Sequence, residues 1–138
     1  MTFNIATKAV TETTEIKIND PATGDQLTGE GGKPCSVTVY GPGSKPYLAA
    51  QAVDNAKMVK RARARGNAPE TAEEAIARKA ALLASITVSF NGFDYNGGPN
   101  ERETFKACYS DPGLGWLTEQ VNLGAGDWGN FTPTSSEA

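Results

Sequence analysis

Histidine is absent from all 138 residues, and this absence limits the chemistry that the side chains can perform. Histidine has the unperturbed pKa best suited to proton transfer near neutral pH, and it is the commonest metal ligand. The remaining candidates are lysine, cysteine or paired carboxylates such as Glu73/Glu74 and Glu101/Glu103. Both pairs lie where helices are predicted to begin, so we interpret them as solvated acids favoured by the helix dipole. The sequence predicts no enzyme, no cofactor, no catalytic residue and no metal ligand.

The two cysteines, Cys35 and Cys108, are far apart in the sequence. This spacing forms neither a disulfide framework nor a zinc-binding pattern, so both are predicted to be reduced.

Two glycine-rich motifs resemble nucleotide-binding loops. Residues 41–45 read Gly-Pro-Gly-Ser-Lys between a predicted strand and helix, but the lysine follows the serine and Pro42 removes an amide. A tight turn with a helix cap is the favoured interpretation. Residues 124–129 fit the dinucleotide fingerprint, but they follow a helix and leave no room for a strand-helix-strand unit. They are predicted to be a flexible C-terminal segment.

The strongest charge feature is a basic run within a chain of net charge -3. It consists of Lys57, Lys60, Arg61, Arg63 and Arg65, with no acid among them. Three interpretations are open: a solvated helix end, a contact with an acidic protein surface, or a nucleic-acid site. Nucleic acid is unlikely as a partner because the sequence pI is about 5.0 and no aromatic residue interrupts the run.

Trp128 and Phe131 lie in a glycine-rich stretch without clear periodicity. Exposed aromatics in such a stretch often mark a contact surface. The predicted partner-binding residues are therefore Lys60, Arg61, Arg63, Arg65, Trp128 and Phe131.

These residues must be positioned by strands and helices that the sequence pattern indicates. Residues 14–19 and 35–39 alternate like half-buried strands, and the turn at 20–24 separates the first from a glycine-rich loop. The two strands are predicted to pair antiparallel. Because a lone hairpin is marginal in water, its apolar face is expected to pack on the downstream helices.

Four helices are predicted after the hairpin. Ser44 caps the first, whose stripe Ala49, Ala52, Val53, Ala56 and Val59 is expected to face the core. Thr71 and Glu74 form a capping box for the second, with a Glu74–Arg78 ion pair and a buried stripe Ala72, Ile76, Ala80, Leu83 and Ile86. Residues 86–90 fit either a strand or a continued helix, and helix is favoured.

Asn100 is predicted to cap a short third helix that ends near Tyr109, and Trp116 to Val121 lie on a fourth. The aromatics Phe93 and Tyr95 are expected to fold back over the core.

The predicted fold class is α+β and mostly helical: an N-terminal antiparallel β-hairpin packed on a bundle of about four helices. Residues 1–13 are a predicted flexible segment, 14–131 a single domain and 132–138 a flexible tail. No apolar run approaches the roughly 20 residues that span a bilayer, and no secretory signal is evident, so no membrane contact and a cytoplasmic location are expected.

The order of several short motifs resembles that of tail assembly chaperones of long-tailed bacteriophages. The motifs are Asp20-Pro21-Ala22-Thr23-Gly24, Val37-Thr38-Val39-Tyr40-Gly41-Pro42-Gly43-Ser44, Leu82-Leu83-Ala84-Ser85-Ile86-Thr87, Phe93-Asp94-Tyr95-Asn96-Gly97, Tyr109-Ser110-Asp111-Pro112-Gly113, Trp116-Leu117-Thr118-Glu119-Gln120-Val121 and Gly129-Asn130-Phe131. The resemblance covers about residues 20–131.

The resemblance implies a viral protein of the host cytoplasm that binds the tape measure protein and promotes tail tube assembly, with possible contact to the tail tube protein and possible self-association. It implies absence from the mature virion and supplies no catalytic residues. Two alternatives are open: a small structural tail or connector protein retained in the virion, and a nucleic-acid-binding regulator that uses Lys57 to Arg65.

Overall fold

The two alternating segments of the N-terminal part form one edge strand and the central strand of a three-stranded antiparallel sheet. A computed structural model describes residues 2–65 and 68–132. In these residues the strands are β1 (Thr13–Lys17), β2 (Ser36–Tyr40) and β3 (Thr87–Asn91), in the order β1-β2-β3. The helices are α1 (Lys45–Arg65), α2 (Ala72–Ile86), α3 (Arg102–Tyr109) and α4 (Gly115–Ala125). The predicted α+β, mostly helical architecture is confirmed.

The two faces of the sheet differ as the alternation predicts. Ile16 of β1 lies opposite Val37 of β2, which lies opposite Phe90 of β3, and all three side chains are buried. Cys35, Val37 and Val39 all point into the core, as expected. The opposite face carries polar side chains, including Glu15, whose carboxylate accepts a hydrogen bond from Ser36.

The third strand corrects the prediction for residues 86–90. The α2 helix ends at Ile86, and Thr87–Asn91 pairs with β2 instead of continuing the helix. The Thr87 hydroxyl donates to the Leu83 carbonyl at 2.7 Å and closes the last helical turn. The β-branched Thr87 and Val88 suit an extended backbone, and the free edge of β2 supplies the partner that local periodicity could not reveal.

Local turn and cap chemistry follows the sequence closely. Asp20 accepts a hydrogen bond from the Ala22 amide at 2.8 Å, and Gly24 adopts a positive φ of 79°. Thr71 accepts from the Glu74 amide while the Glu74 carboxylate accepts from the Thr71 amide, so the predicted capping box is confirmed.

The core lies between the sheet and the buried sides of α2, α3 and α4. Phe90 stacks on Phe93 with ring centroids 4.6 Å apart, and it also contacts Phe105 and Tyr109. The predicted return of the loop aromatics over the core is confirmed, because Phe93 and Tyr95 both pack against it. Tyr95 is half-buried, and its hydroxyl donates to Asp111 at 3.1 Å.

The two outer strands have parts of their edges covered by side-chain amides. Asn100 accepts from the Phe90 amide at 2.7 Å and donates to the Phe90 carbonyl at 3.2 Å. Just beyond β1, Gln120 makes the same pair of bonds with the backbone of Asn19. Asn100 was predicted to cap α3, but Glu101 holds the cap position and the Asn100 side chain serves the sheet instead.

The backbone after Gly124 was predicted to be irregular, but in the structure it is helical and packs on the domain. A one-turn 3-10 helix at Trp128–Phe131 follows α4, and Phe131 is fully buried. The Phe131 carbonyl accepts hydrogen bonds from the amide and hydroxyl of Thr11. The residues just before β1 therefore contact the sheet region, and of the predicted tail only Thr132 belongs to the described residues. In the described part of the chain, no helix is both long and apolar enough to span a bilayer.

Candidate functional site

The 21-residue helix α1 contacts the rest of the domain along one narrow side. Ala50 on that side is only 6% exposed and joins the core. Asp54 and Arg61 lie on the same side of the helix, one and three turns further along, and both bond to groups at or before α2. These contacts fix the rotation of α1 about its own axis.

Arg78 of α2 is the central group of this contact. Its Nη1 donates to both oxygens of Asp54, while Nε and Nη2 donate to the two oxygens of Glu70 at 2.9 and 3.2 Å. The hydrogen bond from Arg78 is the main cause that lowers the pKa of Glu70, and the bond to Glu70 is the main cause that raises the pKa of Arg78. Bidentate pairing of this kind holds both partners in one geometry.

The Glu74–Arg78 ion pair predicted from spacing is replaced by other partners. Arg78 turns toward Asp54 and Glu70, and Glu74 lies 3.5 Å from the Nε of Arg61 on α1. Arg61 also donates from Nη2 to the Ala68 carbonyl at 3.0 Å. An acidic surface was one of three interpretations of the basic run, and for Arg61 that surface is the start of α2 in the same chain.

The other basic residues divide into two groups. Lys57, Lys60 and Arg63 are exposed. Arg65 ends α1, and its side chain lies outside the described part of the structure, as do Gly66 and Asn67, which were predicted to terminate the helix. Lys60 and Arg63 are therefore the predicted partner-binding cations that the structure presents to solvent.

The stripe of α1 that was predicted to pack on the core is exposed to solvent, so that prediction is wrong for all five of its residues, Ala49, Ala52, Val53, Ala56 and Val59. Leu48, Ala49, Ala52, Ala56 and Val59 form what we call the outward face, and all are exposed. Leu48 and Val59 are 56% and 51% exposed, which is high for branched apolar side chains. The physical reason is that the opposite side carries Ala50 and Asp54, and only that side can meet both the core and Arg78.

Leu48 is the residue of the outward face that the predicted stripe did not include. One signal was available: three of the five residues in the predicted stripe are alanines, whereas the α2 stripe contains Leu83 and Ile86, which are the side chains that a core selects.

The two C-terminal aromatics have different roles in the structure. Trp128 is 56% exposed, as predicted, and its ring lies beside the turn before α1: a Cβ on Gly43 would be 3.5 Å from Cζ3 of the indole. Phe131 was predicted to be an exposed contact residue, and this is wrong. Its ring packs against Gly41 so closely that any Cβ there would overlap it. Trp128 therefore lies near the start of α1, and the basic residues lie near its far end.

The phosphate-loop interpretation of residues 41–45 has a clear structural alternative. The buried Ser44 hydroxyl accepts from the Tyr47 amide and donates to the Gly41 carbonyl at 2.8 Å, which is cap and turn chemistry. In residues 124–129, Gly124 lies within α4, and a Cβ at this position would overlap the side chain of Ile16 of β1. The first motif therefore forms a turn and a helix cap, and Gly124 of the second allows α4 to pack closely on β1.

An apolar cleft of about 140 Å³ lies between the Phe93–Tyr95 loop and α4. Its lining includes Ile18, Trp116 and the thiol-bearing Cys108. Both cysteines are buried and free, as predicted. Burial raises the pKa of Cys108 to about 11 and also raises that of Cys35, so both thiols are protonated at neutral pH and are poor nucleophiles.

No group of His, Cys, Asp or Glu side chains among residues 2–65 and 68–132 is arranged to hold a metal ion. Comparison with known proteins gives no further assignment: no family model, no curated protein and no solved structure matches this chain.

Proposed function

We propose that this chain is a non-catalytic assembly chaperone of the phage-tail type. It binds the tape measure protein, a long helical client, and promotes polymerisation of tail tube subunits around it in the cytoplasm of the infected host. It leaves before the virion is complete. The order of motifs across residues 20–131 supports this family, and the complete absence of histidine favours binding over catalysis.

The observation that carries the proposal is the outward face of α1. A helix of about 30 Å, at 1.5 Å per residue, leaves most of its apolar side chains in water while its other side is held by Ala50 and Arg78. Soluble domains usually bury the apolar stripe of a helix, and a stripe that remains exposed indicates a surface for another molecule. The apolar stripe of an amphipathic client helix can pack on such a surface.

Co-expression with the client tests the proposal. The chain is produced with a tagged fragment of the tape measure protein encoded in the same genome, and soluble fragment is measured with and without the chain. We expect the chain to co-purify with the fragment and to keep it soluble. If the fragment is equally insoluble in both cultures and nothing co-purifies, the proposed function is wrong.

Mass spectrometry of purified particles separates a transient chaperone from a structural subunit. The proposal expects the chain to be absent or far below the copy number of the tail tube protein. Recovery at a fixed stoichiometry in mature particles would contradict it.

A further inference from the structure

We propose that the outward face of α1 is the client-binding surface, and that it receives an amphipathic helix whose apolar stripe is flanked by acidic side chains. The inference deepens the proposed function and rests on it, because it names the surface and the chemistry of the bound segment. It concerns a protein helix, and not a second copy of this chain or a nucleic acid.

The apolar residues of the outward face have the spacing and size that helix packing requires. Leu48, Ala52 and Val59 repeat at intervals of four and seven along one side of α1, and Ala49 and Ala56 lie beside them. Small alanine side chains allow a second helix to approach closely, within the 8 to 10 Å axial separation of packed helices. Leu48 and Val59 then supply the branched side chains at either end of the contact.

The charges of α1 determine what kind of helix fits. The helix contains six basic residues and a single acidic one, Asp54. Asp54 is bonded to Arg78 on the inner side, whereas Lys60 and Arg63 are exposed where the outward face ends. A partner with acidic side chains at that end gains complementary ion pairs, and a basic partner is repelled.

The same charges disfavour pairing of two copies through this surface. Two α1 helices placed face to face would bring Lys45, Lys60 and Arg63 of each copy into one interface without an exposed acid on either helix. Like charges across an interface suppress such pairing. An acidic foreign helix is therefore the better occupant.

The size of the contact indicates a weak interaction that is repeated. From Leu48 to Val59 the face extends about 17 Å, or three helical turns, which is less than a stable protein interface usually provides. A long client that offers many such segments compensates for the weakness of each contact, because several copies of this chain can bind along it side by side. Each copy can still dissociate when a tube subunit replaces it.

Two pairs of matched variants test the surface in the full-length chain, with the tagged tape measure fragment as the probe. The charge variant is Lys60→Glu with Arg63→Glu, and its control is Lys8→Glu with Lys33→Glu, which changes net charge equally at exposed sites elsewhere. The apolar variant is Leu48→Ser with Val59→Ser, and its control is Leu123→Ser on α4, where leucine is 74% exposed. Circular dichroism and urea unfolding establish that each variant is folded.

We expect both α1 variants to reduce the retained fragment at least about tenfold, and both controls to stay within about twofold of the wild-type chain. If the wild-type chain retains the fragment and the α1 variants retain it equally, the surface assignment is wrong and the proposed function survives. If the wild-type chain retains no fragment, both are wrong.

Two further measurements exclude the other occupants. Sedimentation of the chain alone should show no dimer formed through the outward face. A wild-type dimer that becomes a monomer in the Leu48→Ser, Val59→Ser variant would overturn the proposal. Fluorescence anisotropy with labelled DNA and RNA at low salt should show no binding that depends on Lys60 and Arg63. Binding that the charge variant abolishes would assign the surface to nucleic acid instead.

Discussion

The guanidinium of Arg78 on α2 donates from Nη1 to both carboxylate oxygens of Asp54 on α1, at 3.2 and 3.1 Å. This pair joins residues that are 24 positions apart in the sequence, and its side chains are 20% and 14% exposed. Because Asp54 lies beside Ala50 on the helix surface, the pair directs the opposite side of α1 into solvent. The Arg78–Asp54 pair therefore helps to fix the rotation of α1 that leaves the outward face exposed.

Replacement of Arg78 should loosen α1. Arg78→Leu leaves the carboxylates of Asp54 and Glu70 without their shared partner, and we expect a loss of about 2 to 3 kcal/mol in the free energy of unfolding. Urea unfolding followed by circular dichroism measures it. Lys79→Leu, at the exposed neighbouring position, should change stability by less than about 0.5 kcal/mol. Equal effects of the two variants would show that the pair does not hold α1.

Acid should weaken the domain through Glu70. Its pKa in the folded chain is below the ordinary value of 4.5 because Arg78 donates hydrogen bonds to it. The unfolded chain therefore takes up the proton first as pH falls, so the stabilisation is complete above 4.5 and is lost below it, down through the folded-state pKa. Glu70→Gln should reduce the dependence of unfolding free energy on pH in that window.

The control for this pH effect is Glu119→Gln, which makes the same chemical change at an exposed position within α4, beyond the first turn of that helix. It should keep the wild-type slope between pH 5 and pH 3, about the range in which carboxylates titrate. A Glu70→Gln profile that coincides with the wild-type profile would contradict the role given to the Arg78–Glu70 bonds.

Local chemistry could be predicted from the sequence because each signal involves neighbouring residues. The turn at Asp20 and the capping box at Thr71 require only that a side chain reach an amide two or three positions away. The alternation around Val37 likewise needs only the period of a strand to predict its buried face. These features were predicted correctly.

Features that depend on distant partners could not be predicted from the sequence. Thr87–Asn91 becomes a strand because β2 offers a free edge, and Phe131 is buried because Gly41, ninety positions earlier, leaves a flat surface for its ring. The direction of the α1 stripe depends on Arg78 of another helix. Of the candidate site, the exposed cations Lys60 and Arg63 were predicted. The alanines and Val59 of the outward face were wrongly assigned to the core, and Leu48 was not assigned.

The Gly41–Phe131 contact should make position 41 intolerant of any side chain. We expect Gly41→Ala to cost about 2 kcal/mol by overpacking and Phe131→Ala to cost about 3 to 5 kcal/mol by leaving a cavity. The double variant should lose less than the sum, since the smaller side chain removes the overlap. Gly115→Ala is the control, because a Cβ there meets open space, and it should be neutral or slightly stabilising. Additive losses in the double variant would count against the contact.

The amide of Asn100 should protect the edge of β3. Asn100→Ala leaves the amide and carbonyl of Phe90 without their partner, so we expect a loss of about 1 to 2 kcal/mol and faster aggregation through the uncovered edge. Thermal unfolding and light scattering measure both effects. Asn122→Ala on the exposed side of α4 should leave both unchanged or improve stability slightly. Unaltered aggregation of the Asn100 variant would mean that the edge is protected by other means.

Site-specific photocrosslinking tests most directly the claim that the outward face of α1 binds a client helix. A benzophenone amino acid is placed at Ala52, at the centre of the face, or at Glu119, an exposed control position on α4, and the chain is irradiated with the tape measure fragment. We predict a crosslink from position 52 to helical client segments that carry acidic residues, and little or none from position 119. Crosslinks from position 119 with none from position 52 would contradict the account.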